Sequence, residues 1–122
     1  MAFSFQDLNV YQQTLTWIDR ALDLSNALII ANQRSLSDQL TRASTSIALN
    51  IAEGNGRWHK AEKRQFYWIA RGSAFECASI IHILKRRNLI TETTQTESLE
   101  NLEIISKMLS RLVQSTELLA QK

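Results

Sequence analysis

Residues 36 to 56 read LSDQLTRASTSIALNIAEGNG, and the spacing of the apolar side chains in this stretch decides the fold class. The apolar positions are separated by steps of three or four residues, which places them on one face of an α-helix. They are Leu36, Leu40, Ala43, Ile47 and Ile51. Glycine and asparagine tolerate positive φ, so the Gly54-Asn55-Gly56 run that follows predicts the end of this helix.

Three further stretches repeat this spacing on either side of the first. The preceding stretch has an expected buried series of Leu8, Tyr11, Leu15, Ile18, Leu22 and Ile29, widened by Trp17, Ala21 and Leu24. The next stretch begins near Lys60 and carries Phe66, Ile69, Ala70, Ser73, Cys77, Ile80, Ile81 and Leu84. The last carries Leu99, Leu102, Ile105, Leu109, Leu112, Thr116 and Leu119. The pattern therefore predicts four amphipathic helices.

Polar residues mark the expected connections between these helices. Residues 32–35 are predicted to link the first two helices, with Ser35 as the N-cap of the second. Asn88 is predicted to end the third helix, after a Lys85-Arg86-Arg87 run whose charges complement the helix dipole. Residues 91–96 are predicted to connect the third helix to the fourth.

The composition favours long helices in a single domain. The chain has no proline and only three glycines, so it lacks the usual signals of strands and hairpins. Its 122 residues suit one compact domain, residues 1–122. Because short connections make successive helices antiparallel, we predict an all-α, antiparallel up-down-up-down four-helix bundle.

The cysteine content and the hydropathy pattern favour a reducing compartment. Cys77 is the sole cysteine, so no disulfide can form within the chain, and its apolar neighbours favour a buried and unreactive thiol. The first residues lack the features of an export signal, and no run of 18 apolar residues occurs. We therefore expect a cytoplasmic protein that does not enter a membrane.

Charge is distributed unevenly along the chain. Residues 34–87 contain ten Lys and Arg against four Asp and Glu, whereas the remainder contains four against eight. The main candidate site is a set of cations around the start of the third helix, together with Arg42 on the second. This set comprises Arg57, Lys60, Lys63, Arg64 and Arg71, with Trp58, Tyr67 and Trp68 between them. Cations neutralise phosphates and aromatic rings stack on unpaired bases, so the set predicts binding of RNA or DNA. The alternative is a solvated helix surface.

Three polar residues, Asn50, Glu53 and Glu76, fall at or beside the predicted apolar faces. Because buried polar groups need partners, we expect structural roles, with Asn50 bridging helices and Glu76 bonded to a neighbouring helix. Glu53 has three candidate partners: Arg42, Arg57 and Arg71. The alternative is a metal site formed by both glutamates with His59. Two carboxylates without a second ligand pair are a poor metal site, so we expect neither metal nor cofactor.

No motif in the chain predicts catalysis. His59 and His82 are the only histidines, and neither lies near a serine or cysteine in a recognisable nucleophile motif. The glycines at 54 and 56 are not followed by the Lys-Ser/Thr pair that a phosphate-binding loop requires. We therefore expect a protein that is not an enzyme.

Two motifs in the second and third helices resemble a known bacterial family. The sequence NIAEGNGR at residues 50–57 is followed about 20 residues later by ARGSAFE at residues 70–76. Together they resemble the small four-helix-bundle proteins first labelled 23S rRNA intervening-sequence proteins. The likeness extends more loosely over nearly the whole chain.

The resemblance implies a protomer that assembles into a homo-oligomer, which is a pentameric ring in known relatives, and it brings no catalytic residues. Similar bundles include the accessory variability proteins of diversity-generating retroelements, which act with a reverse transcriptase and its nucleic acid. The expected function is therefore that of a non-enzymatic accessory protein that binds nucleic acid, with a reverse transcriptase as a candidate partner. The alternative is a protein-interaction module that does not bind nucleic acid.

Overall fold

The computed structural model describes residues 3–120, with side chains described as far as residue 117. A short 3₁₀ helix precedes four α-helices. The elements are the 3₁₀ helix Ser4–Asp7, α1 Asn9–Ile30, α2 Arg34–Gly56, α3 Lys60–Arg86 and α4 Glu92–Ala120. Each helix packs extensively on the next, whereas α1 and α4 contact each other far less. Because the connections are short, consecutive helices run antiparallel, and the predicted four-helix bundle is confirmed.

The buried face of α1 only partly matches the prediction. Trp17 and Ala21 are fully buried as expected, whereas Leu15, Leu22 and Ile29 of the main predicted series are between 37% and 41% exposed. The series that faces the core is Val10, Thr14, Trp17, Ala21, Ser25 and Leu28. Both series have helical spacing. The structure selects the second because the fully buried Trp17 fills the space between helices and donates its indole N–H to Ser44 Oγ on α2 at 3.0 Å.

The predicted apolar faces of the other helices are largely confirmed. Leu40, Ala43, Ile47 and Ile51 of α2 are buried, and Leu36 is half-buried. In α3 the buried set includes Ala70, Cys77, Ile80, Ile81 and Leu84, whereas Phe66 is half-buried and Ile69 is exposed. In α4 the core residues are Leu102, Ile105, Leu109, Val113 and Thr116. The predicted position Leu119 lies outside the residues whose side chains are described.

Hydroxyl groups join α1 to α2. Ser37 Oγ donates to the backbone oxygen of Ser25 at 3.0 Å, and Ser25 Oγ lies 2.9 Å from Thr41 Oγ1. Ser44 Oγ, which accepts from Trp17, also lies 3.4 Å from Cys77 Sγ on α3. Burial raises the pKa of the Cys77 thiol to about 11, so this cysteine is the inert core residue that the sequence predicted.

Asparagines in the left-handed region end α1 and α3. Asn32 has φ 61° and Asn88 has φ 59°. In α3 the N–H of Asn88 donates to the oxygen of Lys85 at 3.0 Å, and that of Leu89 donates to Leu84 at 2.9 Å. This pair of bonds is the Schellman motif, and the same pair closes α1 through residues 32 and 33. Asn88 therefore ends α3 as predicted.

Two predicted connections are wrong by a few residues. The N-cap of α2 is Gln33, and Ser35 lies inside the first turn of the helix. The polar stretch 91–96 is mostly helical, because α4 begins at Glu92. Thr91 Oγ1 accepts the N–H of Thr94 at 3.1 Å and so caps a helix whose first turn is polar. Polar composition alone does not separate a loop from an exposed helical turn.

Gly54 permits the close approach of α2 and α3. No glycine of the described residues has a positive φ, so the predicted left-handed end of α2 is wrong. A Cβ atom built on Gly54 would instead lie 2.7 Å from Cε1 of the Tyr67 ring. Tyr67 is buried, so its ring cannot swing into solvent without opening the core. Glycine is required here for space and not for backbone conformation.

Candidate nucleic-acid interface

The predicted cations occupy three places on the bundle. Arg57 is the first residue of the three-residue connection between α2 and α3, Lys60 begins α3, and Lys63 and Arg64 follow in its first turns. Two others lie farther from this end of the bundle. Arg71 is near the middle of α3, and Arg42 is exposed on α2. The structure therefore brings four of the six together.

Arg57 is fixed by contacts with neighbouring side chains. Its Nη2 donates to Glu53 Oε2 at 3.1 Å, and its Nη1 lies 3.9 Å from Glu62 Oε2. The guanidinium also lies 4.7 Å from the centre of the Phe66 ring. The predicted pairing of Glu53 with Arg57 is confirmed. Since two carboxylates surround it, Arg57 adds little net positive charge to this surface.

Lys63 has a structural role. Its Nζ donates to the backbone oxygen of Asn55 at 2.7 Å and lies 3.4 Å from that of Gly54. These carbonyl groups lie in the last turn of α2, where the Gly54 oxygen also accepts the N–H of Arg57 at 3.2 Å. Burial lowers the pKa of the Lys63 ammonium, and the charge of Lys60 lowers it further. Lys63 therefore caps α2 in the absence of a Schellman motif there.

Arg71 connects α3 to α4 and contacts two aromatic rings. Its Nε donates to Ser110 Oγ at 3.0 Å. The guanidinium lies 4.5 Å from the centre of the Phe75 ring and 5.4 Å from that of Trp68. These contacts have the geometry of cation–π pairs, which fix the arginine on the surface of α3 while leaving its charge intact.

Three of the predicted cations keep unused hydrogen-bonding capacity. Arg42 and Lys60 are exposed, and neither forms an ion pair with another residue that the structure describes. Arg64 is half-buried, and its Nη1 is a buried donor without a partner among residues 3–120. Buried donors without partners are costly, so Arg64 would gain a hydrogen bond if its half-buried side chain turned outward to a ligand or a neighbouring subunit.

The three aromatic residues of the predicted site lie in different environments. Trp58 is 90% exposed in the connection between α2 and α3, and Trp68 is 47% exposed on α3. Tyr67 lies in the core, where burial raises the pKa of its hydroxyl and a hydrogen bond with Asn55 partly opposes this. Two of the three rings are therefore available to a partner.

Two of the three predicted structural polar residues, Asn50 and Glu76, do not make the contacts expected of them. Asn50 Nδ2 donates to Ser46 O at 2.8 Å and to Ser46 Oγ at 3.0 Å, so its bonds lie within α2. The bridge to α3 is made instead by Ser46 Oγ and Ser73 Oγ, 2.8 Å apart. Glu76 is exposed and has no hydrogen bond or ion pair within the described part of the chain, because its side of α3 faces outward.

The alternative metal site receives no support from the positions of its ligands. Glu53 and Glu76 are both exposed, and Glu53 is paired with Arg57. Across residues 3–120 there is no group of three or more His, Cys, Asp or Glu side chains that could hold a metal ion.

The described helices include none with the length and apolarity that a membrane span requires.

A second group of cations, not predicted as a site from the sequence, lies at the opposite end of the bundle. Its members are Arg34, Lys85, Arg86 and Arg87. The antiparallel topology brings the start of α2 and the end of α3 to the same end. The Lys85-Arg86-Arg87 run is visible in the sequence, but it was interpreted only as a set of charges that complement the helix dipole.

Comparisons with known proteins agree with the architecture. A family model described as 23S rRNA-intervening sequence protein matches residues 6–111. The chain is also similar to the crystal structure of a protein of unknown function from the S23 ribosomal protein family of Bacteroides thetaiotaomicron. The two chains are 25% identical with a TM-score of 0.79, and the match covers 85% of this chain and 97% of the other. No curated protein matches the chain.

Proposed function

Since the chain belongs to the 23S rRNA-intervening sequence protein family, we propose that it is a non-enzymatic, self-assembling accessory protein that binds single-stranded nucleic acid. The observation that carries this proposal is the exposure of Trp58. A tryptophan that is 90% exposed between Arg57 and His59 contributes almost nothing to the core of the bundle. Its large ring is placed where a ligand can reach both the ring and nearby cations.

Trp58 suits unpaired bases better than duplex. An indole ring stacks on the face of any base, whereas bases in a duplex already stack on each other. Lys60 lies two residues away, is exposed and has no ion pair among the described residues, so it can neutralise a phosphate beside the stacked base. We assign Trp58 and Lys60 to the nucleic-acid contact, with Arg64 as a further donor.

Self-assembly is supported by apolar side chains on two diagonal helices. Leu15, Leu22 and Ile29 are partly exposed along α1, at intervals of seven residues. Trp68 and Phe75 are partly exposed along α3, also seven residues apart. Because α1 and α3 lie diagonally in the bundle, the two stripes face opposite sides, and pairing one with the other joins protomers head to tail. Head-to-tail contacts can close into a ring.

Charges beside the two stripes favour the same pairing. Asp19 and Asp23 lie within one turn of Leu22 on α1 and are exposed. Arg71 lies between Trp68 and Phe75 on α3. An acidic border on one stripe and a basic residue within the other provide electrostatic complementarity between copies. In this arrangement Arg71 serves assembly and not nucleic-acid binding.

A reverse transcriptase is the protein partner that we would test first.

Replacing Trp58 by alanine should weaken binding of a six-nucleotide oligo-dT by roughly 5- to 150-fold, which corresponds to about 1–3 kcal/mol for one stacked base. Fluorescence anisotropy of a labelled oligonucleotide at low salt measures this loss. Trp58→Phe should restore most of the affinity, because it keeps a ring. Ile104→Ala is the control, since Ile104 is 49% exposed near the middle of α4, away from both ends of the bundle. Unchanged affinity in Trp58→Ala would refute the proposed contact.

Light scattering tests the assembly. A pentamer of 14.0 kDa protomers has a mass of 70 kDa, and Leu22→Lys should reduce it to 14.0 kDa because it places a charge in the α1 stripe. Ile104→Lys is the control, since Ile104 is 49% exposed on α4, outside both stripes. A wild-type protein that scatters as a monomer at micromolar concentration would contradict the assembly. So would equal dissociation of both variants.

If the wild-type protein retains neither single-stranded nor structured RNA or DNA, the nucleic-acid function is wrong. The second candidate is then a protein-interaction module, for which an exposed tryptophan beside an arginine is also suited. A pull-down whose captured protein survives nuclease treatment would support that second function.

A further inference from the structure

The cations at the second end of the bundle have no structural task that the fold requires. Arg34, Arg86 and Arg87 are exposed and Lys85 is half-buried. None of the four forms an ion pair or a side-chain hydrogen bond with a residue that the structure describes. At the Trp58 end, by contrast, Arg57 and Lys63 are both bonded to protein groups.

Helix capping does not account for these cations either. A basic side chain at the end of a helix commonly satisfies the last carbonyl groups, as Lys63 does for α2. In α3, the carbonyls of Leu84 and Lys85 already accept the N–H groups of Leu89 and Asn88. The Schellman motif therefore leaves three consecutive cations free of capping and holds their backbone in one conformation.

The same end contains an open, mainly polar depression on the surface. It is lined by His82, Lys85, Arg86, Asn88 and Gln95. Gln95 Nε2 lies 3.4 Å from His82 Nδ1 and brings an amide from α4 to the edge of the basic group. Ammonium, guanidinium and amide groups are the donors that bind phosphate oxygens in proteins.

We propose that the end of the bundle formed by Lys85, Arg86, Arg87 and Arg34 binds the sugar-phosphate backbone of nucleic acid, as a second contact independent of base identity. This inference rests on the proposed function, because it assigns a further part of the same ligand to a different end of the protomer. No aromatic side chain lines the depression, so this contact is electrostatic and does not involve stacked bases.

The distance between the two contacts sets a length requirement. The 27 residues of α3 separate them, which corresponds to about 40 Å at 1.5 Å per residue. A strand with stacked bases advances about 3.4 Å per nucleotide, so roughly 12 nucleotides are needed to reach both ends of one protomer. A six-nucleotide strand can occupy only one contact at a time, whereas a 30-nucleotide strand can occupy both.

The test is the salt dependence of oligo-dT binding by the double variant Arg86→Gln/Arg87→Gln. Both side chains are exposed, so the variant keeps the fold. For a 30-nucleotide strand, the slope of log Kd against log salt should decrease by about 1.4 per bound protomer, since each lost phosphate contact on a single strand contributes about 0.7. For a six-nucleotide strand that binds through Trp58, the slope should not change.

Lys107→Gln/Arg111→Gln is the matched control. It removes the same net charge from exposed positions on α4, away from the basic end. Its slope with the 30-nucleotide strand should equal that of the wild type. The inference is overturned if the Arg86/Arg87 variant keeps the wild-type slope, or if the control loses as much.

The two proposals fail in different ways. If Trp58→Ala binds the six-nucleotide strand as tightly as the wild type, while Arg86→Gln/Arg87→Gln still lowers the slope with 30 nucleotides, the Trp58 contact is wrong and the second contact stands. If the wild-type protein binds neither strand, both proposals are wrong. Retention of an acidic protein by this end in place of either strand would likewise overturn the phosphate assignment.

Discussion

Trp17→Ala is expected to lower the free energy of unfolding by about 3–5 kcal/mol, the range for removing a large aromatic side chain from a core. The indole is fully buried between helices, and its removal leaves a cavity that packed neighbours cannot fill. The substitution also removes the donor to Ser44 Oγ. Urea unfolding followed by circular dichroism, at one protomer concentration for all variants, measures the change.

Trp58→Ala is the matched control for this experiment. It makes the same substitution at a side chain that is 90% exposed, so the free energy of unfolding should change by no more than about 0.5 kcal/mol. Trp17→Phe should fall between the two, because it keeps an aromatic ring but loses the N–H that Ser44 accepts. A loss below about 1 kcal/mol in Trp17→Ala would show that Trp17 does not lie in the core.

Gly54→Ala and Gly56→Ala are expected to change stability in opposite directions. A methyl group at position 54 meets the buried Tyr67 ring and the Cβ atom of Phe66, an overpacking that costs about 1–3 kcal/mol. At position 56 a Cβ atom meets nothing within 4 Å, and φ is not positive. Alanine there should stabilise the helix by up to about 1 kcal/mol, because it restricts the unfolded chain.

The free energies of unfolding of the two variants, measured together by thermal and urea unfolding, should differ by about 1–4 kcal/mol. Replacing Tyr67 by leucine in the Gly54→Ala background should recover part of the loss, since the ring that causes the collision is gone. If both glycine variants were equally stable, the close approach of α2 and α3 at Gly54 would be refuted.

The sequence predicts the fold well, because helical periodicity depends only on the local spacing of apolar residues. The helices then pack together through those same residues. Steps of three and four identify each helix, and the absence of proline leaves the helices uninterrupted. Which face of α1 is buried cannot be predicted from periodicity in the same way. Leu22 and Ala21 both satisfy the period, and the decision depends on where Trp17 fits among three other helices. Periodicity alone does not contain that information.

The candidate site was less predictable than the fold. Sequence spacing correctly grouped Arg57, Lys60, Lys63 and Arg64 at the start of α3. It could not show that Lys63 caps α2 or that Arg57 pairs with two carboxylates, because both depend on how the connection between the helices turns. Whether a cation is free is a property of its three-dimensional neighbours and not of its position in the chain.

The hydroxyl contacts between α1 and α2 determine specificity more than stability. Each hydrogen bond contributes only about 0.5–1.5 kcal/mol in the native alignment. If α1 slid along α2 by one turn, however, the bonds between Ser25 and Ser37 would be lost, and each buried hydroxyl left without a partner would cost about 1–3 kcal/mol. These small side chains therefore discriminate against shifted pairings of α1 with α2, which an all-aliphatic interface would tolerate more readily.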